Sequence, residues 1–505
     1  MHRNELKLGA VLNYVLIVLH TLVGLLYTPY MLRMMGQSEY GLYSLVSSVI
    51  AYLTILDLGM GNAIVRYTAK FRAEGKREEQ YEMFGMFFLL YLLIGIIAIG
   101  IGMGLYLNVD ALFGKTMSIV ELDKARVMLL ILIFNLAFTF PMSIFGSIMT
   151  AYEIFVFPRI INIIRTIINT VVMVLLLKIG YRAIAIVILQ TVFNVVTLVI
   201  NYIYCRQLLN VKLYFRKFKW EFFKEVTVYS FWILLNVIMD KIYWSTGQFV
   251  LGAISGTIAV SVFAVAIQLH NMYMQFSTAI TSVFLPRVTS MVTKNSNSKD
   301  LSDLFIRTGR LQYIVLSFII SGFIVFGKPF IRIWAGPEYS DSFIITLMFF
   351  VALLVPLIQN LGITILQAKN QMRFRSLLYI GIAMVALVLE IVLAKKYGGI
   401  GCAMAISGAL ILGQGLIMNI YYKRVQHLNI SKFWIEILKM SIVPSCIVAL
   451  SLILVQKFEI YSWRTLIIGI CLFSIVYLPF FYFFSMNKDE RNLLVLPIKR
   501  AFKIS

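Results

Sequence analysis

The chain has 505 residues, 60% of them hydrophobic and 13% charged, with a formal net charge of +22 and a mean hydropathy of +0.88. Soluble domains carry about 25% charged residues, so a water-soluble fold is excluded. Lipid offers no partner for open backbone groups, and the apolar runs lack the alternation of barrel strands. The expected class is therefore an all-α, polytopic membrane protein.

Runs of membrane-spanning length recur fourteen times in chain order. They cover 8–32, 42–67, 84–107, 127–149, 155–177, 183–204 and 226–251, then 258–285, 311–334, 343–366, 377–394, 400–422, 440–455 and 466–484. The first exceeds a signal-peptide core and no small-residue cleavage site follows it, so it is expected to remain as a span. Alternate segments between runs hold 31 and 12 of the 45 Lys and Arg, and only Arg165 and Lys241 fall well inside runs. The richer side is the cytoplasmic one, which places both termini in the cytoplasm. The basic charge thus reads as topology, and nucleic acid is not an expected partner. The longest intervening segments, 205–225 and 286–310, both face the cytoplasm. The first mixes basic with aromatic residues, which predicts an amphipathic helix on the inner surface.

Weak internal similarity recurs after some 215–220 residues. GQSEYGLY (36–43) corresponds to GTIAVSVF (256–263), Pro141 and Gly146 to Pro356 and Gly362, and Arg66 to Arg287. Six spans per unit keep both units the same way round, as in parallel repeats. The expected domains are an N-lobe (1–205, spans one to six), a basic linker (206–225), a C-lobe (226–424, spans seven to twelve), and two further spans with a cytoplasmic tail (425–505).

Ionisable residues at membrane depth face bundle interiors or wet cavities and mark pathways. The stretch WILLNVIMDKIYWSTGQ (232–248) places Asp240 and Lys241 about 20 Å into span seven, and Arg165 lies about 15 Å into span five. Asn236, Asp240, Tyr243 and Gly247 share one helix face, with Lys241, Ser245 and Gln248 beside it. Asp57 sits toward the cytoplasmic half of span two, and Glu390 near the outer end of span eleven, where a structural role is the plainer reading. His20 and His270 read as packing groups, and Asn135, Asn194 and Gln359 as contacts between helices. Four scattered cysteines show neither disulfide nor metal spacing. GIGMG (100–104) lies within an apolar run and reads as helix packing. With no Walker A motif, HExxH or catalytic triad, no enzyme, cofactor or metal site is expected.

KLGAVLNYVLIVLHTLVGLLYTPYMLRMMGQSEYGLYSLV (7–46), LDLGMGNAIVRYTAKF (56–71), GQFVLGAISG (247–256), VFLPRVTSMV (283–292), IWAGPEYSDS (333–342) and KKYGGIGCAMAIS (395–407) resemble Wzx-type polysaccharide and O-antigen flippases. These belong to the multidrug/oligosaccharidyl-lipid/polysaccharide exporter superfamily. The resemblance implies two six-helix lobes in a V, a cavity lined by spans one, two, seven and eight, and a bacterial inner-membrane location. The implied cargo is undecaprenyl-diphosphate-linked oligosaccharide, carried outward by alternating access. Membrane lipids, a polysaccharide polymerase and a chain-length regulator are the implied partners. The pyrophosphate needs cations, for which Lys241, Arg165 and Arg66 are candidates, with Arg33 and Asn236 in support. Asp57 and Asp240 are candidates for coupling or counter-ion roles. Cation-coupled drug export and lipid II flipping are neighbouring readings. A membrane glycosyltransferase or polymerase fits poorly, because the outer loops are short and plain.

Overall fold

The computed structural model describes residues 2–215, 220–282, 298–369, 371–456 and 460–493, with Val288 and Met291, and contains no strand among them. The chain divides into two units, Met1–Ala264 with Tyr379–Cys402, and Val265–Leu378 with Ala403–Ser505.

The first unit is built from α1 (His2–Met35), α2 (Gln37–Leu53), α3 (Met60–Ala73), α4 (Arg77–Leu107), the short α5 (Val109–Phe113), α6 (Ile119–Ala151), α7 (Val156–Ile179), α8 (Ala183–Gln207) and α9 (Trp220–Ser255). The start of α10 (Thr257–Ser282) also belongs to it. Helix α6 begins at a capping box in which Ser118 and Glu121 satisfy each other's backbone N–H groups. Helix α7 ends at Gly180 with φ 101°, a left-handed conformation that glycine adopts without steric cost. The main packing is of α4 and α8 on α6, α7 on α1, and α9 on α2. Between α4 and α6, small residues let the helices approach as membrane helices do. A Cβ at Gly102 would lie 2.6 Å from the Ile133 side chain, and one at Gly95 would lie 3.1 Å from the Ala137 carbonyl oxygen. The GIGMG stretch is thus packed helix, as its sequence predicts.

The second unit contains α11 (Ser298–Trp334), α12 (Asp341–Ile358), α13 (Asn360–Ala368), most of α10, parts of α14 (Arg373–Leu410), α15 (Met418–Arg424), α16 (Ile430–Val455) and α17 (Trp463–Phe484). Helix α11 packs against α12, α16 and α17. Trp334, Phe349 and Tyr339 are buried in its core.

Twelve helical segments among the described residues are long and apolar enough to cross a membrane. One of these, Arg373–Arg424, is 52 residues long and holds both expected spans eleven and twelve. Span seven lies outside the twelve, on the 36-residue α9, a helix about 54 Å long. The fourteen expected runs fall on helical segments except at Leu58, Gly59, Phe155 and Gln359, and 283–285 lie outside the described residues.

Four expectations are corrected. Span two is not continuous: α2 gives way to a 3-10 turn at Thr54–Asp57, Leu58 (φ 53°) and Gly59 (φ 71°) turn left-handed, and α3 restarts at Met60. Two glycines close together, Gly59 and Gly61, weaken helix propagation here. Span ten likewise breaks at Gln359, between α12 and α13. Expected spans eleven and twelve are separate helical stretches that meet at a sharp turn around Gly398 (φ 58°), where Gly401 comes against the Leu393 carbonyl, and a π-helical turn follows at Ile411–Ile417. The cytoplasmic segment 286–310 is helical from Ser298 onward. Of the expected surface helix at 206–225, residues 208–215 are non-helical, 216–219 lie outside the described residues, and α9 begins at Trp220. Arg287 also lies outside the described residues.

Gly36 and Gly256 have φ of 80° and 83°, and the carbonyl of each accepts the amide four residues on, from Tyr40 and Val260.

Candidate functional site

The break in span two presents a carboxylate at a helix discontinuity. Tyr91, fully buried on α4, donates to Asp57 Oδ1 at 2.8 Å, and the Gly59 amide also hydrogen-bonds to Asp57. Interrupted helices leave backbone groups free at membrane depth, and such breaks occur where they line a site. Leu58 in the left-handed region stores strain there. Arg66 is exposed on α3, its guanidinium 5.7 Å from the Tyr67 ring centroid.

Helix α9 divides its polar face between two environments. Tyr243, Thr246, Gly247 and Gln248 are buried, whereas Asp240 is exposed and Lys241 and Asn236 are half-buried. The close approach at Gly247 is required, because a Cβ there would lie 2.7 Å from the Phe263 ring. The Tyr52 hydroxyl of α2 hydrogen-bonds to Thr246 of α9. Asp240 and Lys241 are adjacent and interact through space, without a hydrogen-bonded ion pair among the described residues. Arg165, half-buried on α7, pairs with no carboxylate among the described residues. Arg33 is exposed at the end of α1.

Of the predicted site residues, Asp57 is tied into a local network through Tyr91. Asp57, Arg165 and Lys241 form no ion pair with one another. The contacts expected of polar residues between helices are present. Asn194 donates at 2.8 Å to Asn135 and to Thr139, Gln359 pairs with Asn419 across two bonds, and His20 meets Thr166 at 3.2 Å. His270 is buried, with the Phe349 ring 5.9 Å away. Glu390 is fully buried within its unit.

Three features escaped sequence reading. In the first unit, a polar cavity of about 460 Å³ lies where α2, α6 and α10 begin. There the Glu121 carboxylate accepts from Ser38 (2.6 Å) and Thr257 (2.8 Å), and Lys124 pairs with Glu39. The S-x-x-E capping signature at Ser118–Glu121 was its one legible sign. In the second unit, Arg310 is buried and donates to Glu490 at 2.6 and 2.9 Å and to Glu436 at 2.7 Å. Also in that unit, an apolar groove of about 540 Å³ runs between α16 and α17, lined by Ile447, Leu450, Leu454, Ile468, Phe473 and Phe326. Among the described residues, no group of three or more His, Cys, Asp or Glu is placed to hold a metal.

Similarity to known proteins follows this architecture. The family model described as "Polysaccharide biosynthesis protein" matches residues 7–292. An "Uncharacterized membrane protein EpsK" of Bacillus subtilis is 23% identical over 94% of each chain. A "Putative O-antigen transporter" of Shigella flexneri is 20% identical over 79% of this chain and 94% of its own. Among solved structures, "Lipid II flippase MurJ, inward closed conformation" shares the fold with a TM-score of 0.71 at 18% identity, covering 94% of this chain and 99% of its own. A multidrug resistance MATE family transporter of the MOP superfamily, inward-facing, follows at 0.58 and 15%, over 81% and 98%. With more than half its length matched and twelve helical segments able to cross a membrane, this chain belongs to the polysaccharide biosynthesis protein family and is a multi-pass membrane protein.

Proposed function

We propose that the protein is a flippase that carries a lipid-linked oligosaccharide, with undecaprenyl diphosphate as the carrier, outward across the bacterial inner membrane. Both termini would be cytoplasmic, and transport would proceed by alternating access of lobes 1–205 and 226–424. The observation that carries this reading is Arg165, half-buried on α7 with no carboxylate partner among the described residues, with Lys241 beside the exposed Asp240 as a second cation. A charge placed there is costly, and one without a carboxylate is matched by an anion arriving as cargo. A pyrophosphate offers that anion, and guanidinium and ammonium groups bind it through charge-assisted hydrogen bonds. Arg66, Arg33 and Asn236 would guide the headgroup along the path. Asp57 and Asp240 would order the cations or serve as counter-ions. The groove between α16 and α17 has the apolar lining that a polyprenyl tail requires. A polymerase and a chain-length regulator are the proposed partners on the product side.

The test is binding. Full-length protein in nanodiscs would be titrated with undecaprenyl diphosphate and with uncharged undecaprenol, following thermal stabilisation. The diphosphate is expected to stabilise the wild type, and Lys241→Ala or Arg165→Ala to weaken its binding about tenfold, as loss of a charged hydrogen bond does. Equal stabilisation by both lipids would contradict the reading. Stabilisation by organic cations alone would favour cation-coupled export, the reading in keeping with the MATE-like fold.

A further inference from the structure

The acid that sequence reading set aside is the one that the structure isolates. Glu390 lies on α14, eight residues before the Gly398 kink, which is about 12 Å along the helix. Its side chain is 0% exposed, and neither carboxyl oxygen has a hydrogen-bond partner among the described residues. The other acids at depth differ. Asp57 accepts from Tyr91, Asp240 is exposed beside Lys241, and Glu436 and Glu490 hold Arg310. The titratable groups facing Glu390 are Tyr52 from α2, Tyr243 from α9 and Cys402 from its own helix. None is basic, and the Tyr52 hydroxyl is already committed to Thr246.

A bare carboxylate in such a place lacks both the counter-charge and the hydrogen bonds that make a buried ion tolerable. The uncharged acid fits, and a Leu or Met would fill the same volume without the liability. What the carboxyl adds is the reversible gain and loss of a proton.

We propose that Glu390 is a proton-binding site that couples the proton gradient to transport. The inference rests on the flippase reading for the cargo, but not for the proton. While the carboxyl stays buried, the site holds the O–H form. When the site opens, water reaches the carboxyl, the O–H bond breaks heterolytically, the proton passes to water and the carboxylate remains hydrated. Gly398, at a φ open to glycine, supplies a pivot beside it.

Infrared difference spectroscopy on the full-length protein in nanodiscs, stepped in pH, tests the site directly. The wild type is expected to show a protonated-carboxyl band at neutral pH that Glu390→Gln removes and Glu390→Asp displaces. Asp57→Asn and Asp240→Asn are expected to leave it in place. A band that persists in Glu390→Gln overturns the proposal, as does a wild type without one. In proteoliposomes containing a lipid-linked oligosaccharide, an imposed pH gradient is expected to accelerate wild-type transfer and not that of Glu390→Gln. If Glu390→Gln responds to the gradient as the wild type does, the coupling role is overturned. A wild type that moves no lipid-linked oligosaccharide sinks the cargo reading, while the infrared result still decides Glu390.

Discussion

Arg310 shows how a single side chain can be costly and indispensable together. It is buried, with its fork closed on Glu490 and its remaining amine on Glu436, itself 28% exposed. Removing one member of a buried pair leaves an uncompensated charge, so Glu490→Ala is expected to destabilise the protein by about 3–5 kcal/mol. Glu436→Gln, at the more solvated contact, is expected to cost less. Thermal unfolding in detergent would check the order, and equal losses would show that the network is not centred on Glu490. Arg165 and Lys241 make the contrasting case. With no hydrogen-bonded acid to strand, their replacement by Ala is expected to leave the unfolding temperature close to wild type while binding falls. A large drop in stability would mean that they are structural. Sequence reading assigned these two a depth from the length of the apolar runs that hold them. It missed the weight of Glu390, because the number of partners around a side chain depends on neighbours far off in the chain.

At the scale of elements, the break in span two is the feature most closely tied to a candidate site. Gly59 has φ 71°, so Gly59→Ala is expected to cost about 1–2 kcal/mol and to disturb Asp57, whose carboxylate accepts the Gly59 amide. Solvent accessibility of a cysteine introduced next to Asp57 would report that disturbance, and an unaltered profile would show the turn to be permissive. The junction of α2 with α10 is tighter still, since a Cβ at Gly41 would lie 1.8 Å from the Thr257 carbonyl oxygen. Gly41→Val is therefore expected to separate the helices around the Glu121 cluster and to raise labelling there. Helix existence was legible throughout from apolar length. Helix continuity was not, because hydropathy stays high across Leu58 and Gln359, and a turn in lipid depends on which buried group accepts the freed backbone N–H.

For the whole molecule, charge distribution and the recurring apolar runs pointed to a helical, multi-pass membrane protein, and the fold shared with MurJ and MATE-type structures agrees with that class. Orientation follows from the excess of Lys and Arg on one side. Single cysteines at the two termini are expected to react only with membrane-permeant reagents in intact cells, and labelling of either by an impermeant reagent would reverse the topology. The cargo is a property of chemistry at the site, and here the cations are the guide. The most direct measurement is transbilayer transfer of a lipid-linked oligosaccharide in proteoliposomes, read by headgroup accessibility. The wild type is expected to expose the headgroup on the far side and Lys241→Ala to lose most of that transfer. A wild type that leaves the headgroup where it began, in vesicles where it exports small cations, would contradict the account.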